Sequence, residues 1–167
     1  MNTEKIAAKL KLTGQLQELH GQNPFKVKAL INAAYRLDKT DINLEGKNIE
    51  ELAALEGIGK GIASKIYELQ TTGKLEELEE ALSITPIGVI EMLRIKGIGP
   101  KKVGQLWKEL EVESPGELLY ACNENRLVTL KGFGEKTQAA VKKYIEFSME
   151  SKGKFHYASC EATALAL

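Results

Sequence analysis

Three short segments of this chain repeat one pattern, and no other feature narrows its fold as much. Leu55-Glu56-Gly57-Ile58-Gly59, Ile95-Lys96-Gly97-Ile98-Gly99 and Leu130-Lys131-Gly132-Phe133-Gly134 each read apolar-x-Gly-apolar-Gly, and an amphipathic helical stretch follows each. Glycine tolerates positive φ and admits close approach of another backbone, so two glycines around one residue make a tight turn between helices. The residue between them (Ile58, Ile98 or Phe133) is apolar and can pin the turn into a core. The second glycine then stands at the N-terminus of the next helix, where unpaired N–H groups and the helix dipole favour an anion. A phosphate held in this way is bound without any reading of a base.

Taken singly, a Gly-x-Gly before a helix is an ordinary helix–helix turn. A spacing of 40 residues from Gly57 to Gly97, and of 35 from Gly97 to Gly132, marks an internal repeat. No strand pattern precedes the turns and no third glycine completes a dinucleotide-binding fingerprint, so that fold is excluded. Two readings remain: repeated contact with the nucleic-acid backbone, or a helical repeat that binds protein.

The charge distribution favours the first. The 23 basic and 23 acidic residues cancel, unlike the balance of a strongly basic binder. Their placement is uneven. Arg94 to Lys108 holds five basic residues (Arg94, Lys96, Lys101, Lys102, Lys108) and no acidic one. Lys131 to Lys143 holds four (Lys131, Lys136, Lys142, Lys143) against Glu135. The acidic cluster Glu76, Glu77, Glu79 and Glu80 reads as a solvated helix face. Lysines beside a turn that can cradle phosphate supply long-range attraction and a salt dependence.

Periodicity predicts an all-α chain of two small helical modules. A first helix runs from about Thr3, read as its N-cap, to His20, with Ile6, Leu10, Leu12, Leu16 and Leu19 on one face. Asn23 and Pro24 then open a second helix, as N-cap and first helical residue, that buries Phe25, Leu30, Ile31 and Ala34. After a loop, Ile49 to Ala54 leads into the first Gly-x-Gly turn, and the helix beyond it stops at Thr72-Gly73. Thr85-Pro86 is a break, which sets modules of 1–82 and 83–150 and a tail of 151–167. Ser114 and Glu117 form a capping box. Lys154 to Cys160 reads as extended, with nothing to pair with. Aromatics make up only 6% of the chain, which also suits helices.

Cys122 and Cys160 lie 38 positions apart with no metal-ligand spacing, and read as reduced, buried thiols of a cytosolic protein. Met-Asn-Thr-Glu-Lys lacks the apolar core of a signal peptide, and no apolar run approaches membrane-spanning length. The expected setting is the bacterial cytosol or nucleoid, with no membrane partner and a monomeric state.

The three segments resemble helix-hairpin-helix motifs. With Asn23-Pro24-Phe25-Lys26-Val27-Lys28-Ala29 upstream of the first and Thr72-Gly73-Lys74-Leu75-Glu76-Glu77-Leu78 downstream, nearly the whole chain resembles the N-terminal part of a bacterial family X DNA polymerase. The resemblance implies an "8-kDa"-like module followed by a fingers-like module with the second and third hairpins. It implies sequence-nonspecific binding of gapped, nicked or 5′-phosphorylated DNA in repair, with Gly57, Gly59, Lys60, Gly97, Gly99, Lys101, Lys102, Gly132, Gly134 and Lys136 along the DNA backbone. Lys26 matches a lysine that helps bind the 5′-phosphate. The carbonyls of Ile95, Gly97, Leu130 and Gly132 can hold Na+ or K+, and no other cofactor is implied.

The resemblance also brings an enzymatic alternative. Lys65 matches the Schiff-base lysine of a 5′-deoxyribose-phosphate lyase, whose amine must be deprotonated to attack the sugar aldehyde. Gly61 and Leu30 depart from the lyase pattern, where a lysine and a tyrosine stand, although Lys60 can substitute one residue earlier. The competing reading of Lys65 is a helix lysine that touches DNA or water. A polymerase site needs paired carboxylates for two metals. Only Asp38 and Asp41 are present, so no palm is expected in this chain. The end at Ala-Leu suggests a piece of a larger enzyme, with palm and thumb as partner domains, or a free-standing remnant. A third reading keeps the hairpins as vestiges in a protein-interaction scaffold.

Overall fold

Helix-breaking chemistry sets the element order, and the computed structural model of the chain is all-α, with nine helices and no strand among the described residues. It describes the backbone of residues 1–166 and the side chains of residues 1–151. Lys154 to Cys160, expected to be extended, instead lie within the last helix (Glu135–Ala166), which carries on with no proline to break it. Contacts divide the chain into two units, Met1–Pro86 and Ile87–Leu167.

The first unit contains α1 (Thr3–Leu19), α2 (Pro24–Lys39), α3 (Ile49–Ala53), α4 (Lys60–Thr72) and α5 (Glu76–Ser83). Asn2, not Thr3, caps α1, its side chain accepting from the Lys5 N–H at 2.9 Å. Thr3 is instead the first helical residue, and its hydroxyl donates to the Ile42 carbonyl at 3.1 Å. Asn23 caps α2 with Pro24 at the first turn. Asn48 and Glu51 close a reciprocal capping box on α3. Gly73 ends α4 in the left-handed conformation. Packing of α1 on α2, and of α5 back on α1, encloses Ile6, Leu10, Leu16, Leu30, Leu52, Ile66 and Leu69. Leu44, in the loop after α2, is buried with them. Phe25 departs from its expected burial: it is 84% exposed, because the helix turns Val27 and Leu30 inward instead.

The second unit contains α6 (Ile87–Met92), α7 (Pro100–Leu110), α8 (Pro115–Asn123), a 3-10 turn (Leu127–Thr129) and α9 (Glu135–Ala166). Val89, Met92, Val103, Leu106, Leu118, Leu127, Val141 and Ile145 form its core. Ser114 caps α8, accepting from the Glu117 N–H at 3.2 Å. The Glu117 carboxylate takes the N–H of Glu113 rather than that of Ser114, so the box closes one residue upstream.

Cys122 is buried, and its burial raises the thiol from 9.0 to about 11, with Lys142 lowering it and Glu146 raising it to lesser extents. The folded unit therefore keeps a proton that the unfolded chain releases first. Stability from this group is intact below pH 9 and is lost as pH climbs from 9 towards about 11. Urea midpoints of wild type and Cys122→Ala should diverge in trend over that window. Parallel curves would contradict the assignment.

Candidate nucleic-acid interface

The three repeats fold as three hairpins of one design. The first turn joins α3 to α4, the second joins α6 to α7, and the third joins the 3-10 turn to α9. Gly57, Gly97 and Gly132 have φ of 81°, 96° and 88°. That left-handed backbone is costly for any residue with a Cβ, which accounts for glycine at the first position of each pair. Between the glycines, Ile58, Ile98 and Phe133 are 4–5% exposed, so each pins its turn.

The second glycine has no such internal reason. Gly59 and Gly99 have φ of −85° and −92°, which any residue can adopt. A Cβ built at Gly59, Gly99 or Gly134 would meet no atom of the protein within 4 Å. No side chain caps the first turn of α4 or α7, and Pro100 opens α7. The first and second hairpins therefore present uncapped helix starts behind open space, where a bulky side chain would stand between the backbone and an approaching group.

All six hairpin glycines are exposed, as are Lys26, Lys60, Lys101 and Lys136. Lys102 is half-buried and lies over the Phe133 ring, with its Nζ 5.4 Å from the ring centre. The second and third hairpins are braced in the same unit. The Gln105 amide donates to the Lys131 carbonyl at 3.0 Å, and the Tyr144 hydroxyl donates to the Arg94 carbonyl at 3.1 Å. The Phe133 N–H donates to the Leu130 carbonyl at 3.2 Å, and the equivalent Ile58 N–H to Leu55 at 3.1 Å.

In the first unit a groove of about 1390 Å³ brings Lys26 and Lys65 together with Gly57, Gly59 and Gly61. Lys60 starts α4 but does not line it. Lys65 Nζ is 3.0 Å from Glu77 Oε1, and the other Glu77 oxygen accepts from Gln17 at 3.0 Å. Before it could attack a carbonyl, that ammonium would have to leave Glu77 and lose a proton. Sequence reasoning missed one feature of this groove. Its wall carries Tyr35, Arg36 and Lys39 from α2, with Lys39 Nζ 5.8 Å from the Tyr35 ring centre. A lysine-aromatic spacing along α2 was the available signal. Outside the groove lining, Phe25 is exposed beside Lys26, although the sequence reading places it in the core.

Among the described residues, no group of three or more His, Cys, Asp or Glu side chains could hold a metal ion, and no helix is long and apolar enough to cross a membrane.

Comparison with known proteins agrees with the hairpin geometry. Residues 1–75 match the helix-hairpin-helix domain family, and residues 89–144 match the SAM-like helix-hairpin-helix tandem family. The chain is 36% identical over 141 residues to the DNA polymerase/3′-5′ exonuclease PolX of Bacillus subtilis. That alignment covers 84% of this chain and 24% of the relative, so the chain spans about a quarter of that protein's length.

Proposed function

With its two helix-hairpin-helix domains, the chain is related to the N-terminal region of family X DNA polymerases, and on that footing we propose that it grips the phosphate backbone of gapped, nicked or 5′-phosphorylated DNA during repair. The observation that carries this reading is the second glycine of each hairpin. Gly59, Gly99 and Gly134 face open space that nothing within the protein requires. Phosphate oxygens approaching there meet main-chain N–H groups, and the flanking lysines add attraction that is blind to sequence.

The second hairpin makes the strongest contact in this reading, because Lys96 and Lys101 are exposed beside it. The third acts with it, its pull reduced by Glu135 at the start of α9. The first, with Lys26 and Lys60, holds the DNA end or the strand across a gap. Carbonyl oxygens suit a hard monovalent cation, so Ile95 and Gly97, or Leu130 and Gly132, are the groups that would hold Na+ or K+ beside a phosphate. Lys65 serves in this reading to tie α4 to α5 through Glu77 rather than as a nucleophile. The setting is a monomer in the bacterial cytosol, and nucleotide transfer falls to other domains of a polymerase.

Gly99→Ala tests the reading. Alanine fits the backbone at this position (φ −92°, ψ −179°), so the loss of stability should stay near ~1 kcal/mol, the cost of a poorer N-cap. DNA affinity should fall roughly tenfold, the worth of one charge-assisted hydrogen bond. Fluorescence anisotropy on a gapped duplex, with thermal melts alongside, measures both. Unchanged affinity would remove the main-chain grip from the account.

A further inference from the structure

We infer that Arg36 takes a nucleic-acid phosphate at the first hairpin, and that Glu56 occupies its guanidinium until DNA arrives. The inference rests on the DNA-binding reading above. It starts from a difference among the three turns. At Gly97 and Gly132 a Cβ would enter open space. At Gly57 it would stand 2.7 Å from Arg36 Cδ and 3.1 Å from Arg36 Nε. Only at the first hairpin does a side chain from another helix lie across the glycine. Glycine there serves two ends, the positive φ and the passage of an arginine from α2 over the turn.

The guanidinium ends on Glu56, the residue before Gly57, at 2.9 Å. The Glu56 side chain is 89% exposed and that of Arg36 38%. An ion pair so wet is weakly held and exchanges readily. Phosphate can take its place, because it too offers the planar guanidinium two oxygens in matching geometry, and in the groove Lys26 and Lys39 stand near to share its charge. Arg36 also lines the groove together with Lys26, Lys39, Gly57 and Gly59, so a phosphate that displaces Glu56 from Arg36 meets two further cations there, while Glu77 and Glu80 line another part of it. Lys65, the other cation of the groove, is already held by Glu77. The ligand chemistry is a nucleic-acid phosphate, either the terminal 5′-phosphate at a gap or an internal phosphodiester.

The test uses the full chain and anisotropy on a duplex with a one-nucleotide gap, carrying either a 5′-phosphate or a 5′-hydroxyl. Arg36→Gln should weaken binding about tenfold, and Arg36→Lys should recover part of the loss. Glu56→Gln should tighten binding about threefold in the wild type and leave it unchanged once Arg36→Gln is present. Loss confined to the phosphorylated DNA supports a terminal phosphate, and equal loss on both supports an internal one. Glu56→Gln lies on an exposed turn and carries the test whatever Arg36→Gln does to stability. Equal tightening by Glu56→Gln in both backgrounds overturns the exchange, because Glu56 then acts only through overall charge. If the wild type binds neither DNA, both readings fall. If it binds and Arg36→Gln binds equally well, this one alone falls.

Discussion

Reversing Lys96 and Lys101 to glutamate should lower DNA affinity about a hundredfold at ~0.1 M salt, because each change removes an attraction and installs a repulsion at a phosphate. Both lysines are exposed, one before Gly97 and one in the first turn of α7. Surface changes of this kind shift stability by no more than ~0.5 kcal/mol, so the folded unit should persist. The plot of log affinity against log salt should flatten by about two, one for each lost phosphate contact. Lys102 is left out of the variant because it packs over Phe133, and its loss would mix binding with folding. A salt slope that does not move would mean that the basic stretch from Arg94 to Lys108 lies away from DNA.

Phe133→Ala should destabilise the second unit by about 3–5 kcal/mol. The ring is 5% exposed and fills the position that Ile58 and Ile98 fill in the other hairpins. Its removal leaves a cavity behind the third turn and takes away the surface under Lys102, which itself contributes about 0.5–1 kcal/mol. The single Trp of the chain, Trp107 in α7, reports on this unit through fluorescence. The urea midpoint read at Trp107 should drop sharply in Phe133→Ala and much less in Phe133→Leu. A midpoint unmoved by the alanine would show that the turn is held by its backbone alone.

Much of the fold can be read from local chemistry. Asn23-Pro24, Ser114 and Gly73 mark helix ends because capping and positive φ are decided within a few residues of chain. The apolar residue between each pair of glycines is legible for the same reason. Phe25 and Leu44 are not, since their exposure and burial depend on how α2 and the following loop settle on α1. Asn2 displaces Thr3 as a cap by one register step, a difference that helix periodicity does not resolve. In the candidate site, the glycine turns belong to the local class. The Lys65–Glu77–Gln17 chain and the lie of Arg36 across Gly57 join residues far apart in sequence, and only the packed helices bring them together.

The open space at Gly59, Gly99 and Gly134 has a consequence for how such a surface can change over time. The atoms proposed to meet phosphate there belong to the main chain, which every residue shares and no codon specifies. What selection can vary is the neighbourhood: a lysine gained or lost at the first turn, a glutamate such as Glu135 set nearby, an arginine laid across a turn. Geometry and strength of grip are thus inherited separately. A lineage can retune how tightly it holds DNA by single surface substitutions without rebuilding the turn that does the holding.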